Sequence, residues 1–221
     1  MSGIKPPRSA IIEPDGRLDV KASPTNGWEI KRLKRQYAAA WSTLCQARYG
    51  ILMALLAYTA SCVGGWFFAE DLGFFHQAAA GLADKFEGRQ GADFILSLFL
   101  HNLVATYIAM CLVSLWGLFP MVNAIANGLI LGWIVGTAYG PSPVDAAVML
   151  VPHGLFEWPA MMIAWGVGLW RGAGYRFSSP SGTYLHRLKQ SNQLFFLYVF
   201  PLLVVAAVVE GRSHLLDLFP G

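Results

Sequence analysis

Pro152-His153-Gly154-Leu155-Phe156-Glu157-Trp158-Pro159 lies inside an apolar stretch that runs from about Val144 to Trp170. A segment of that length crosses a bilayer core, which takes about 20 residues of helix. Glu157 falls near its middle, and His153 stands one helical turn earlier. An ionisable group at bilayer depth costs about 2.5–3.5 kcal/mol even on insertion scales, so it faces protein or water rather than lipid. The stretch therefore predicts a membrane protein with a polar site between its helices.

Composition agrees. Of the 221 residues 55% are hydrophobic and only 13% charged, where soluble domains carry roughly 25% charged residues. Mean hydropathy is +0.46. Continuous rather than alternating apolar runs exclude a β-barrel pattern. The expected fold class is all-α: a polytopic transmembrane helical bundle of five spans with a basic amphipathic N-terminal helix. Its spans are about Tyr49–Phe68, Phe94–Leu118, Met121–Ala138, Val144–Trp170 and Gln193–Val209. Domain organisation follows: a flexible cytoplasmic tail over 1–27, an amphipathic interfacial helix over 28–48, a membrane domain over 49–210, and a short extracytoplasmic tail over 211–221.

In the interfacial helix Ile30, Leu33, Tyr37, Trp41 and Leu44 recur at helical spacing among Lys31, Arg32, Lys34 and Arg35, a pattern for the membrane face. Between the first two spans, Phe74, Phe75, Leu82 and Phe86 among polar residues suggest a short amphipathic helix on the opposite face. Nine of the 16 Lys and Arg residues precede the first span and four lie between the fourth and fifth. Cations favour the cytoplasm, which predicts a cytoplasmic N-terminus and an extracytoplasmic C-terminus in a cytoplasmic membrane.

At a rise of 1.5 Å per residue, Asn102, Asn127 and Glu157 come within a few Å of one depth, with His101 and His153 nearby. These five residues make up a buried polar layer or a candidate ion or ligand site. Pro152, Gly154 and Pro159 predict a break in the fourth span, because proline lacks an N–H and clashes with the carbonyl four residues back. Freed carbonyls at that depth need partners, which the polar layer can provide. Gly128, Gly132 and Gly136 share one helix face at the GxxxG spacing that lets helices approach closely. They serve internal packing or a homo-oligomer seam.

Cys45, Cys62 and Cys111 have no metal or disulfide spacing and act as apolar fillers. No catalytic residue, no metal site and no cofactor is expected, since the chain has no nucleophile–base pair, nucleotide motif or second metal-ligand motif. No nucleic-acid partner is expected either.

His101-Asn102-Leu103, Asn127-Gly128-Leu129-Ile130-Leu131-Gly132 and Pro152-His153-Gly154-Leu155-Phe156-Glu157-Trp158-Pro159-Ala160 resemble the stage II sporulation protein M family, and Gly166, Gly168 and Leu169 fit the same pattern. Trp158 departs from it, standing where a small or aliphatic residue is expected. The resemblance implies a cytoplasmic-membrane protein whose sporulation member is similar to a scaffold for cell-wall-degrading enzymes. The expected function is a non-catalytic scaffold, homo-oligomeric, with protein partners on either face of the lipid bilayer. The alternative is a small channel or transporter with an intramembrane Glu/His/Asn site. An intramembrane hydrolase is disfavoured, because a lone HxxxE has no second ligand motif.

Overall fold

The computed structural model describes residues 25–77, 91–112, 114–138, 143–177 and 183–217. Among them there are helices and no strands. The order is α1 (Thr25–Gln46), α2 (Arg48–Phe67), α3 (Gly91–Cys111), α4 (Ser114–Ala138), α5 (Pro143–Phe177), α6 (Thr183–Leu194), a π-helical turn (Phe195–Val199) and α7 (Phe200–Asp217). The chain divides between Gln36 and Tyr37 into two units, and the bundle belongs to the second. Residues 1–24 of the expected tail 1–27 and the segment carrying Leu82 and Phe86 lie outside the described residues, while Thr25 to Gly27 begin α1.

Among the described residues, four stretches are long and apolar enough to cross a membrane: Arg48–Phe67, Ala92–Cys111, Gly117–Thr137 and Leu185–Val209. The helix α5, with 35 residues and about 52 Å of rise, has side chains described only in part.

Several boundaries differ from the sequence reading. The fourth helix does not break: α5 is helical throughout Pro143–Phe177, past Pro152, Gly154 and Pro159. Proline removes one bond and displaces one carbonyl, and opening the helix further at membrane depth would strand more backbone groups. Pro159 and Leu155, whose carbonyl its ring crowds, lie on the exposed face. Gly154 is buried beside the Trp158 indole, which occupies the space where a Cβ would stand. A bare backbone at Gly154 thus accommodates the bulky Trp158. The helix also runs on through Arg171, which was expected to open a polar loop.

The third helix begins at Ser114 rather than Met121, and Pro120 lies inside it. Within it Gly117 has a φ of +94°, which suits glycine. Its Cα faces α5, where an added Cβ would sit 3.3 Å from Leu169 Cα. Pro120 is fully buried, facing Gly168 of α5.

The last membrane helix begins at Thr183, ten residues before the expected Gln193. It passes through the π turn, where Phe200 N–H bonds to Phe195 O, five residues back. Pro201 follows immediately. It cannot donate, and its ring would clash with the Leu197 carbonyl in a regular helix. The wider turn absorbs that clash. The helix then continues to Asp217, over residues expected to be a tail.

The tightest seam joins α2 and α4. Gly128 faces Tyr58 and Ser61, Gly132 faces Cys62 and Trp66, and Gly136 faces Trp66 and Ala69. Both numbers rise together, so the helices run parallel. Gly65 of α2 faces Leu129 in return. A second glycine crossing joins α2 to α5, where Gly50 meets the Gly166 backbone and Gly166 meets Ile51.

The core between α3, α5 and the last helix holds Met110, Ala160, Ala164, Val167, Leu194, Phe195, Val199 and Leu203, together with Ala40 and Ala47. The second half of α1 therefore contributes to the bundle. The buried residues are the small ones, Ala40, Thr43 and Ala47. Backbone bonds run across the α1–α2 junction, from Ala47 N to Thr43 O and from Ile51 N to Ala47 O, both 2.9 Å.

Tyr107 of α3 packs edge-on against Phe195 at 5.0 Å and donates its hydroxyl to Asn192 Oδ1 at 3.0 Å. Tyr107→Phe keeps the ring and removes the bond. A net loss of about 1 kcal/mol is expected, and Asn192→Ala should then add little in the Tyr107→Phe background. Detergent-titration unfolding of the two single variants and the double variant checks this; strict additivity would show that the bond contributes nothing.

Candidate functional site

Glu157 stands on the inward face of α5. Ala160, Ala164, Val167 and Arg171 follow it at helical spacing and are all buried, while Leu155 and Pro159 face outward. The Glu157 side chain is 7% exposed. It lines a cavity of about 10 Å³ together with Phe99 and Asn102 of α3 and Leu203, Ala206 and Ala207 of α7. Phe99 and Asn102 reach the same place because positions three apart share a helix face. Ala206 and Ala207 leave the gap by being short. A space of that size accepts about one water molecule. Tyr58 of α2 lies within electrostatic reach of Glu157.

Glu157 and Asn102, expected at one depth from two spans, thus border one cavity. Asn127 does not join them. It is exposed, and its Nδ2 donates to Asn123 O at 2.8 Å, one turn back on its own helix. Asn123 does likewise, donating to Phe119 O at 3.1 Å. The glycine face of α4 turns to α2, and Asn127 beside it is left exposed. His101 is half-buried on α3 and does not line the cavity. The side chain of His153 lies outside the described residues. Among the described residues no three His, Cys, Asp or Glu side chains gather as metal ligands do.

A second buried charge escaped the sequence reading. Arg171 is 2% exposed, and its Nη1 donates to Met110 O at 3.0 Å. Met110 is the penultimate residue of α3, where the last four carbonyls have no partner within the helix. A cation there satisfies a carbonyl and complements the negative helix end. Arg187 makes a related contact: Nη1 donates to Trp170 O at 2.8 Å, and the guanidinium lies over the Trp170 ring at 4.4 Å. Both arginines had been counted only as loop charges. The signal for Arg171 was present in the continued small-residue spacing Ala160, Ala164, Gly168 of the preceding turns. Glu157 and Arg171 are 14 residues apart on one face, about 21 Å along the axis. They are two separate sites rather than an ion pair.

A helical membrane bundle of apolar spans with a buried carboxyl and a half-buried amide bordering one cavity between three helices is the class that this fold defines. Within that class, the chain belongs to the stage II sporulation protein M family, SpoIIM, whose family model matches residues 53–212. The match includes every residue of the expected polar layer and of the glycine stripe. Comparison with curated proteins and with solved structures gives no match.

Proposed function

We propose that this protein is a non-catalytic scaffold of the cytoplasmic membrane that organises partner proteins, as its family resemblance implies. The observation that carries the proposal is the size of the space at Glu157. A cavity for about one water, lined also by Phe99, Leu203 and two alanines, suits a polar lock between α3, α5 and α7 better than a substrate site, since ligand pockets run to several hundred Å³. In this role Glu157 and Asn102 hold helix positions, and the outward surfaces recruit partners. The glycine stripe of α4 is taken up by α2, so a homo-oligomer assembles through another face. With α5 counted as a crossing beside the four apolar stretches, the N-terminus is cytoplasmic and the C-terminus extracytoplasmic, following the distribution of Lys and Arg.

Glu157→Gln tests the proposal, because the carboxamide keeps shape and hydrogen-bonding capacity while losing titration. The variant is expected to melt within about 1 kcal/mol of the parent and to co-purify with the same cross-linked partners from native membranes. Reconstituted vesicles should show no ion or proton flux for either protein. Flux through the parent that Glu157→Gln abolishes would overturn the scaffold role and establish the transport alternative.

A further inference from the structure

Helix α1 carries large residues that the described core does not use. Ile30 is 53% exposed, Leu33 49% and Trp41 56%, and with Tyr37 they fall on one face at helical spacing. The residues of α1 that do enter the core, Ala40 and Thr43, stand on a different edge and are small. Lys31, Arg32, Lys34 and Arg35 are all exposed; Lys31, Arg32 and Arg35 occupy the opposite half of the helix and Lys34 borders the stripe, against a single acid, Glu29. The Arg35 side chain folds back along the helix, its Nε donating to Lys31 O at 3.4 Å. An apolar stripe beside a strongly basic half is the arrangement of a helix lying in the boundary between lipid headgroups and acyl chains.

We propose that the exposed apolar face of α1 docks on an anionic lipid leaflet, with Ile30, Leu33 and Trp41 in the acyl boundary and the four cations among the headgroups. Two observations favour lipid over a protein. Charge complementarity is one: lysine is depleted in protein interfaces, whereas clustered Lys and Arg next to a membrane segment are attracted by anionic headgroups. Continuity is the other. Helix α1 passes through Ala47 into α2 with its backbone bonding maintained, and α2 is long and apolar enough to cross. The stripe is thereby tethered within a few turns of the bilayer, which raises its effective concentration at the surface. The proposal does not depend on the scaffold role.

The test uses the full chain in nanodiscs, with a spin-labelled keto amino acid placed at Leu33 or, separately, at Arg32. In discs rich in phosphatidylglycerol the label at 33 should be more accessible to oxygen than to a water-soluble nickel complex, and the label at 32 the reverse. In pure phosphatidylcholine the preference at 33 should weaken. Each cation removed should lower the docked-to-undocked ratio roughly fivefold. The combined variant Lys31→Glu, Arg32→Glu, Lys34→Glu, Arg35→Glu should lose docking while its melting temperature stays at the parent value, since all four side chains are exposed. A label at 33 that faces water in both lipids would overturn the proposal in favour of a soluble partner. Spin–spin broadening at 33 would overturn it in favour of a second copy of the chain.

Discussion

Gly132→Val is expected to prevent the bundle from forming, or to leave a protein that unfolds far below the parent. A Cβ at that position would fall on the Cys62 carbonyl and 2.8 Å from the Trp66 nitrogen. Both obstacles are backbone atoms, so no rotamer change relieves them. Overpacking a well-filled site costs roughly 1–3 kcal/mol, and here α2 and α4 must separate along the whole seam, because Gly128 and Gly136 flank the clash one turn away on either side. In lipid, close van der Waals contact is a main force between helices, so separation forfeits more than the local contact. Thermal melting and detergent-titration unfolding measure the loss. Gly64→Ala is the control: it lies on α2 near the seam, and an added Cβ there meets nothing within 4 Å. It should fold as the parent does. Normal melting of Gly132→Val with an altered oligomer size would instead assign the stripe to contacts between copies.

Arg171→Met is expected to have the second largest effect. The substitution keeps most of the side-chain length and apolar stem but removes the donor to Met110 O. Hydrogen bonds to charged groups contribute about 1.5–3 kcal/mol, and the abandoned carbonyl is at a helix end already short of partners. A destabilisation of about 2 kcal/mol is expected, with faster amide exchange in the last turn of α3. Arg171→Lys should recover part of it, since the ammonium keeps the charge but presents its donors from a single point. Equal stability of the methionine variant and the parent would show that Arg171 is carried at no benefit to the fold. Arg171 is far from Glu157, so its variants should leave the cavity between α3, α5 and α7 unaltered.

The apolar runs, their lengths and the glycine spacing were legible in the sequence because they are local: bilayer thickness sets span length, and small residues four apart share a face whatever the neighbour. Glu157 was legible for the same reason, since an acid amid about 27 apolar residues has few tolerable environments. Depth was also calculable from chain position, and Asn102 and Glu157, calculated to be level, border one cavity. Rotation about each helix axis was not calculable. Asn127 is the example: the face it occupies depended on which helix the glycine stripe of α4 meets. Breaks were overestimated at Pro152 and Pro159 because proline chemistry is local, whereas the cost of opening a helix depends on what surrounds it. The π turn before Pro201 is the same physics resolved another way.

Sequence alone thus determined that this is an apolar helical bundle with an acidic group to hide and a close helix seam to form. Tertiary structure decided which partners satisfy them: α2 for the glycines, α3 and α7 around Glu157, and Met110 O for Arg171. The reason is that hydrophobic length and small-residue spacing are properties of one helix, while burial of a particular face is a property of two or more packed together.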